Sequence, residues 1–555
     1  MRVTMSWGRI AVLCLCAFFC LEGWGSEARL QEEFWGQPAV CLQLTAGSRT
    51  PGPINLAGAQ NEHLFFLVLV EGATSSLQAE LEGLTAGLEG QFFRVVAVPP
   101  DSGSKYPADA LLPLGDDYPG SASELLPLWV SLKITPDCPP GFYTLHLVIT
   151  HRDRSRRLPV KLQVFRFALP EDLPLTIFAG FWHQPDFWSR YDKGSPGSKV
   201  QIIKRYYQSL REYKINALGG SYPLPLDRLP PGQQWENSSP YHELLEYALD
   251  ELQFSYFQIP RLKGWQTSAQ PQSHFLYQAQ IFYPGYGAYL RRHGWENRAL
   301  NYLADEPREQ QGEAVVRAYA QAKALIPRVK TLCAGWHPRP EFAKVIDIWS
   351  YQAAHFRKDD QEQARRRGQE AWLYANRLHT IGSPLSHPRL IGWLLYRYQF
   401  SGYLLWGVNF WPQDPWTTPP GPKDFYRRGT FYYPHPQTGV PLATTRLEAL
   451  RRGLQDYQYL LLLDRACRRG LVPPKEQAAL QAEVRRFTEN FSYSSFPVSM
   501  AELEAVRLRI GQLLDGITDL PKNSGTVRER PRPESHKTVI RKTSSEDCPC
   551  GYHIL

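Results

Sequence analysis

Methionine is scarce in this sequence, with 3 among 555 residues, cysteine is sparse at 9, and no run of about 20 apolar residues occurs. The missing long run excludes an ordinary membrane-spanning helix. Its longest apolar stretch near the start, Ile10 to Leu21, has 12 residues, follows Arg2 and Arg9, and precedes Gly23 and Gly25. That is the pattern of a cleavable secretory leader over 1–25, and it implies an extracellular or lysosomal destination. Three cysteines would leave with the leader, so Cys41, Cys138, Cys333, Cys467, Cys548 and Cys550 remain. Six in so long a chain exclude a disulfide-built scaffold, and the expectation is one or two supporting bridges, Cys41 with Cys138 first.

Several catalytic signatures are also missing. There is no Walker pattern and no Gly-x-Gly-x-x-Gly after the first barrel strand, so nucleotide binding lacks support. No Gly-x-Ser-x-Gly elbow offers a serine nucleophile. His183 and His337 follow proposed strand ends, but no His-x-x-x-His or Cys-x-x-Cys array accompanies them, and no metal or cofactor is expected. The net charge of +8 is not gathered into a folded stripe. Its densest basic stretch, Arg528 to Lys542, is Pro-rich and broken by acids, which reads as a solvated tail and not as a nucleic-acid footprint.

What remains is ordinary in hydrophobic content and rich in rings. Apolar residues make up 43%, charged residues 21%, and aromatics 13%, with 16 Trp, 29 Tyr and 26 Phe. Such a balance supports sizeable cores, and at 555 residues it implies two to four domains. Residues 26–170 read as short strands between Gly, Pro and Asp turns: HLFFLVLVEG, QFFRVVAV, LPLWVSLKI, FYTLHLVIT and LPVKLQVFRFAL. Strands at regular spacing with no helical period predict an N-terminal β-sandwich. After the punctuation LPEDLP, residues 175–517 alternate short apolar strands with helical stretches.

Eight such strands can be counted: TIFAGFW, INALGGSY, FSYFQIP, ALNYLAD, VKTLCAGW, VIDIWSY, AWLYAN and GYLLWGVNFW. Eight βα units predict an α/β protein, a (β/α)8 TIM barrel with its active site at the C-terminal strand ends; an open doubly wound sheet is the rival. Amphipathic stretches at Glu476 to Phe487 and Met500 to Leu514, after the helix ending near Arg468, would cover the barrel, and 518–555 would be a disordered tail. Asn237 and Asn490 stand in glycosylation sequons. Oligomeric state is not legible.

At the end of the fourth strand stands Asp305-Glu306-Pro307. Adjacent residues of an ideal strand face opposite sides, so both carboxylates reach one cleft only if the strand ends there, and Pro307 suits the first turn of a helix. The bland alternative is an acidic helix start that complements the helix dipole. Asp347 and Asp414 are further acids, each open to a structural or a substrate-binding reading. Trp182, Tyr222, Trp336, Trp349, Tyr351, Tyr374, Trp406 and Trp411 recur at strand after strand, where a sugar cleft would use them as walls.

The stretch RRHGWENRALNYLADEPRE, with Gly294, Trp295, Asp305, Glu306 and Pro307, resembles the signature of glycoside hydrolase family 123. GYLLWGVNFWPQDPW, YYPHP and RLEALRRGLQDYQYLLLL resemble a C-terminal block shared with the related domain of unknown function 4091. VFRFALPEDLPL is similar to the family's link between sandwich and barrel. The resemblance implies an exo-acting, retaining β-N-acetylgalactosaminidase using substrate assistance, in which the sugar's 2-acetamido oxygen is the nucleophile and an oxazolinium ion the intermediate. Glu306 would then be the general acid/base, and Asp305 would hold the acetamido N–H. Trp336, Trp349, Tyr351, Trp406 and Asn409 are the expected sugar contacts, by strand position. The partner is a glycoconjugate or oligosaccharide. Two other readings stand beside it: a non-catalytic secreted carbohydrate-binding protein, and a conventional retaining glycosidase, with another sugar preference, pairing Glu306 with an acid such as Asp347.

Overall fold

The computed structural model describes residues 40–43, 51–71, 77–97, 108–116, 125–183, 191, 198–220, 240–262, 273–335, 338, 340–353, 355–356, 358–411, 413–417, 428–489 and 498–517. The leader, both sequons, the C-terminal tail, Trp336 and His337 lie outside them.

The N-terminal strands are β1 (Val40–Gln43), β2 (Ile54–Gln60), β3 (Glu62–Glu71), β4 (Leu77–Glu82), β5 (Leu88–Ala97), β6 (Ala108–Pro113), β7 (Leu125–Ile134), β8 (Gly141–His151) and β9 (Arg154–Ala168). They form two sheets, ordered β1-β3-β7-β5-β6 and β2-β9-β8-β4. The five strands expected from sequence are β3, β5, β7, β8 and β9. The four others, β1, β2, β4 and β6, are the edges of the two sheets. Segments such as INLAGAQ and LQAELE are poor in β-branched residues and extend because a neighbour offers a ladder, a tertiary effect that propensity does not show.

Leucines and valines of both sheets, among them Leu64, Val68, Leu132, Leu147 and Leu162, interlock as one buried layer. The opposite face of the first sheet is covered too, since Phe65, Leu67 and Trp129 pack with Leu385, Ala449 and Met500 from later in the chain. Burial on both faces explains why β3 and β7 read as almost unbroken apolar runs.

The barrel is closed by β10 (Thr176–Gly180), β11 (Ala217–Gly219), β12 (Tyr256–Gln258), β13 (Ala299–Asn301), β14 (Lys330–Gly335), β15 (Ile348–Gln352), β16 (Glu370–Tyr374) and β17 (Gly402–Leu405). All pairs are parallel, and β17 returns to β10 through Thr176 opposite Gly402. The eight strands are those counted in the sequence, and the closed ring excludes the open doubly wound sheet. The intervening helices are α1 (Ser198–Glu212), α2 (Tyr241–Glu246), α3 (Ser273–Arg292), α4 (Gly312–Leu325), α5 (Lys358–Arg366) and α6 (Ser386–Arg397), with a short 3₁₀ turn, Pro340–Lys344, between β14 and β15.

Strand alternation sorts the side chains. Phe178, Leu300, Leu332, Ile348, Trp372 and Leu404 fill the barrel, while Ile177, Leu218, Cys333, Trp349, Leu373 and Tyr403 pack outward on the helices. The floor is polar: Lys330 Nζ donates to Tyr256 Oη at 2.9 Å and to Glu370 at 2.7 Å.

Beyond a small hairpin, β18 (Tyr432–Pro434) with β19 (Pro441–Ala443), come α7 (Thr445–Arg468), α8 (Pro474–Glu489) and α9 (Met500–Asp515). Thr444 caps α7 by accepting from the Leu447 N–H at 3.1 Å, and Ser499 with Glu502 forms a reciprocal cap on α9. Helix α7 is buried on nearly every side, lying between the first sheet, α6 and α9. The backbones of α6 and α7 touch: a methyl group on Gly392 would sit inside the Gly453 carbonyl.

The LPEDLP connection is pinned down. Lys214 Nζ donates to the carbonyls of Pro170 (3.1 Å) and Glu171 (2.8 Å), and Arg211 pairs with Asp172 at 2.6 Å. The bridge expected between Cys41 and Cys138 is corrected, since Cys138 is a free, buried thiol 3.9 Å from Tyr143 Oη. Among the described residues no helix is long and apolar enough to cross a membrane.

Candidate active site

The mouth is set by how β13 ends. Regular pairing stops at Asn301, yet Asp305 makes a further parallel bridge to Ala334 of β14. Glu306 follows with its N–H donated to the Ala334 carbonyl at 2.9 Å and with φ of 43°, in the left-handed region. A glutamate adopts that region at a cost, and such strain concentrates at functional sites. The turn resolves the sequence puzzle, because a left-handed residue breaks the strand's alternation and lets two adjacent carboxylates leave it on the same end of the barrel. Both side chains are solvent-accessible.

Beneath them, Tyr302 Oη donates to Asp305 Oδ1 at 2.8 Å. Burial and then the Asp305 charge hold this phenol well above the usual range, so it stays a donor. Arg261, beyond β12, lies over the Tyr302 ring at 5.8 Å and donates to the Leu303 carbonyl at 2.8 Å. Tyr374, the last residue of β16, lines the same interior. The Glu306 carboxyl is raised above the ordinary glutamate value, first by partial desolvation between the walls of the mouth and then by the neighbouring Asp305. That is the direction a general acid requires.

On the facing wall, Trp406 projects inward just past β17, half-buried, with its ring seated against Gly429. In an eight-stranded ring β17 stands opposite β13, so Trp406 faces the acid pair across the mouth. Asn409 is buried and spends both ends of its amide on one residue: Oδ1 accepts from the Trp182 N–H at 2.8 Å, and Nδ2 donates to the Trp182 carbonyl at 3.1 Å.

Two of the sugar contacts expected from sequence are thereby corrected. Trp349 and Tyr351 alternate outward, Trp349 stacking on Phe342 and Tyr351 donating to the Asp360 carbonyl at 3.0 Å, so neither walls the mouth. Asn409 is buried and holds the backbone of Trp182. Asp347 precedes β15 and so sits at the opposite end of the barrel, bonded to Lys323 and Thr331. His183 is kept neutral by burial and then by the Lys199 charge, which lower it to about 3. Asp414 accepts the Trp416 N–H at 3.0 Å within its loop. Tyr302 and Arg261 were missed. Counting by twos from inward Leu300 identifies Tyr302; nothing local marks Arg261. Among the described residues, no three His, Cys, Asp or Glu side chains converge as metal ligands would.

A closed parallel barrel with an accessible acid pair at the end of strand four, one carboxyl of it raised, is suited to cleaving a glycosidic bond. Residues 252–463 match the family model for the catalytic domain of glycoside hydrolase 123. Among solved structures the chain is similar to a family 123 glycoside hydrolase from Clostridium perfringens, studied for glycolipid glycan hydrolysis. That likeness has 14% identity and a TM-score of 0.62, and covers 84% of this chain and 93% of the other. An endo-β-1,4-mannanase from Thermotoga petrophila is more distant, at 11% identity and TM-score 0.33, covering 52% of this chain and 77% of that one. No curated protein sequence matches.

Proposed function

We propose that the chain is an exo-acting, retaining β-N-acetylgalactosaminidase that works by substrate assistance. The observation that carries this is the Asp305–Glu306 turn: one carboxyl raised, its neighbour held by Tyr302, and Asp347 at the other end of the barrel. In the first step Glu306 donates its proton to the glycosidic oxygen while the substrate's acetamido oxygen attacks C1, giving an oxazolinium ion and the free aglycone. Asp305 accepts the acetamido N–H and offsets the positive charge on the closing ring. In the second step Glu306, now a carboxylate, removes a proton from water, which opens the oxazolinium ion at C1 with retention. Trp406 would face the sugar's C–H surface.

A panel of aryl glycosides tests the reading. Release from the β-N-acetylgalactosaminide with none from the unsubstituted β-galactoside is expected, and equal turnover of both would sink substrate assistance. The pH dependence has a definite sign. Glu306 must enter protonated, so kcat/KM falls as pH rises through its pKa, and that limb lies above the ordinary glutamate value of about 4.3. A pH–rate profile whose descending limb lies at or below that value would remove Glu306 from the acid role. An acidic compartment would keep this carboxyl protonated.

A further inference from the structure

Between the end of β13 and the acid pair, the ladder with β14 carries one residue too many. Leu300 stands opposite Lys330 and Asn301 opposite Thr331, so a regular parallel pair would set Ala304 opposite Ala334. Asp305 holds that place instead. From Asn301 to Asp305 is four steps and from Thr331 to Ala334 three, which makes a β-bulge, a feature rare between parallel strands. The consequence is a change of facing. Leu303 and Ala304, two neighbours, both pack outward among the helices, whereas Ala334 belongs to the barrel interior. Opposed residues of a parallel pair point the same way, so the extra residue turns Asp305 inward; in the regular register it would face the helices.

A bulge leaves backbone groups without a rung, and here a single side chain takes them. Tyr319 of α4 is fully buried. Its hydroxyl accepts from the N–H of Leu303 at 3.0 Å and of Ala304 at 2.9 Å, and it donates to the Leu332 carbonyl at 2.6 Å. Two acceptor sites and one proton are all that a hydroxyl has, and all three are used. Consecutive N–H groups of a regular strand point to opposite neighbours, so no ladder partner could meet both. Burial holds this phenol well above its usual range, so the proton it donates is kept. Arg261 takes the Leu303 carbonyl at 2.8 Å. Resting on the roles proposed above for Asp305 and Glu306, we infer that Tyr319 is the positioning residue of the acid pair. Its hydroxyl stands in for the missing rungs, holds the bulge, and thereby fixes where both carboxylates enter the mouth; it touches no substrate.

Tyr319→Phe keeps the ring and removes the hydroxyl. On an aryl β-N-acetylgalactosaminide it is expected to lower kcat about 10- to 100-fold with a smaller change in KM, the scale of effect for a displaced catalytic group. The pH profile carries the distinguishing readout. Part of the upward shift of Glu306 comes from Asp305 beside it, so a slackened turn should move the descending limb of kcat/KM to lower pH. Tyr283→Phe is the control. It removes another buried hydroxyl, which accepts from Asn301 Nδ2 at 3.3 Å on the same strand below the bulge, and it should leave kcat within about twofold and the limb in place. A wild-type rate and profile in Tyr319→Phe, or equal effects of the two variants, would overturn the assignment. Should Tyr319→Phe not fold, amide hydrogen exchange of the wild type decides: Leu303 and Ala304 should exchange as slowly as β14, and fast exchange would refute the pinning. The same measurement separates this inference from the function it rests on. If the wild type cleaves no N-acetylgalactosaminide, the proposed sugar fails and the variants are compared on whichever aryl glycoside is turned over; with none turned over, exchange alone decides.

Discussion

Replacing Glu306 with Gln is expected to reduce aryl β-N-acetylgalactosaminide turnover by about 10²- to 10⁴-fold, the usual contribution of a positioned general acid. The amide keeps the size and the left-handed backbone of the native residue but has no proton to give at working pH and no basicity with which to activate water. Both half-reactions therefore lose the same group. A leaving group of low pKa needs little protonation, so the deficit should be smaller on a 2,4-dinitrophenyl glycoside than on a methyl glycoside. An unchanged rate would refute the assignment. Asp305→Asn should also lose activity with sugar binding largely kept, because the amide can still meet the acetamido group but cannot offset positive charge.

The second large effect lies far from the mouth. Glu62 of β3 is fully buried, with Arg452 of α7 at 2.6 Å and Arg507 of α9 on the same oxygen. Its other oxygen accepts from Tyr459 at 2.6 Å and from the Ala59 N–H at 2.7 Å. Arg452 and Arg507 continue to Glu504, which reaches Arg389, and Arg389 grips Asp456 at 2.7 Å. Three acids and three arginines thus join the first sheet to the helices behind the barrel. Glu62→Gln leaves two arginines sharing too little negative charge in a dry seam, and should cost about 3–5 kcal/mol, as breaking a buried network does. A large downward shift of the urea midpoint is the expected result. Glu89→Gln, which breaks an exposed pair with Lys133 at 3.0 Å, should cost no more than about 1 kcal/mol. Equal shifts would mean that the seam contributes nothing special.

The seam is built for acid. Burial by itself would raise Glu504, but Arg452, Arg507 and Arg389 outweigh it and hold its carboxyl well below the usual range. A carboxyl depressed on folding contributes stability above its unfolded pKa, near 4.3, and loses it only as pH falls through the folded value. Across pH 4 to 5 Glu504 therefore stays ionised.

The eight βα units and the place of the acid pair were determined by sequence alone, because each rests on local signals: apolar runs of strand length, helical periods between them, and a proline just past two acids; closure into a barrel was not. The four edge strands were not legible, since pairing with a neighbour and not propensity extends them. Facing was legible only by counting along each strand. That count turns Trp349 and Tyr351 outward once Ile348 is known to point in, and it places Tyr302 under Asp305 once Leu300 does. Three decisions belong to the tertiary structure. A bridge to Ala334 and a left-handed Glu306 bring two neighbouring carboxylates to one cleft. The end of the barrel at which β15 begins removes Asp347 from the chemistry. The meeting of residues 182 and 409, more than 200 positions apart, turns an asparagine into a clamp on a tryptophan's backbone. Residue type and spacing specify what an element can be, but which side chains converge is settled by barrel closure, and closure is a property of all eight strands together.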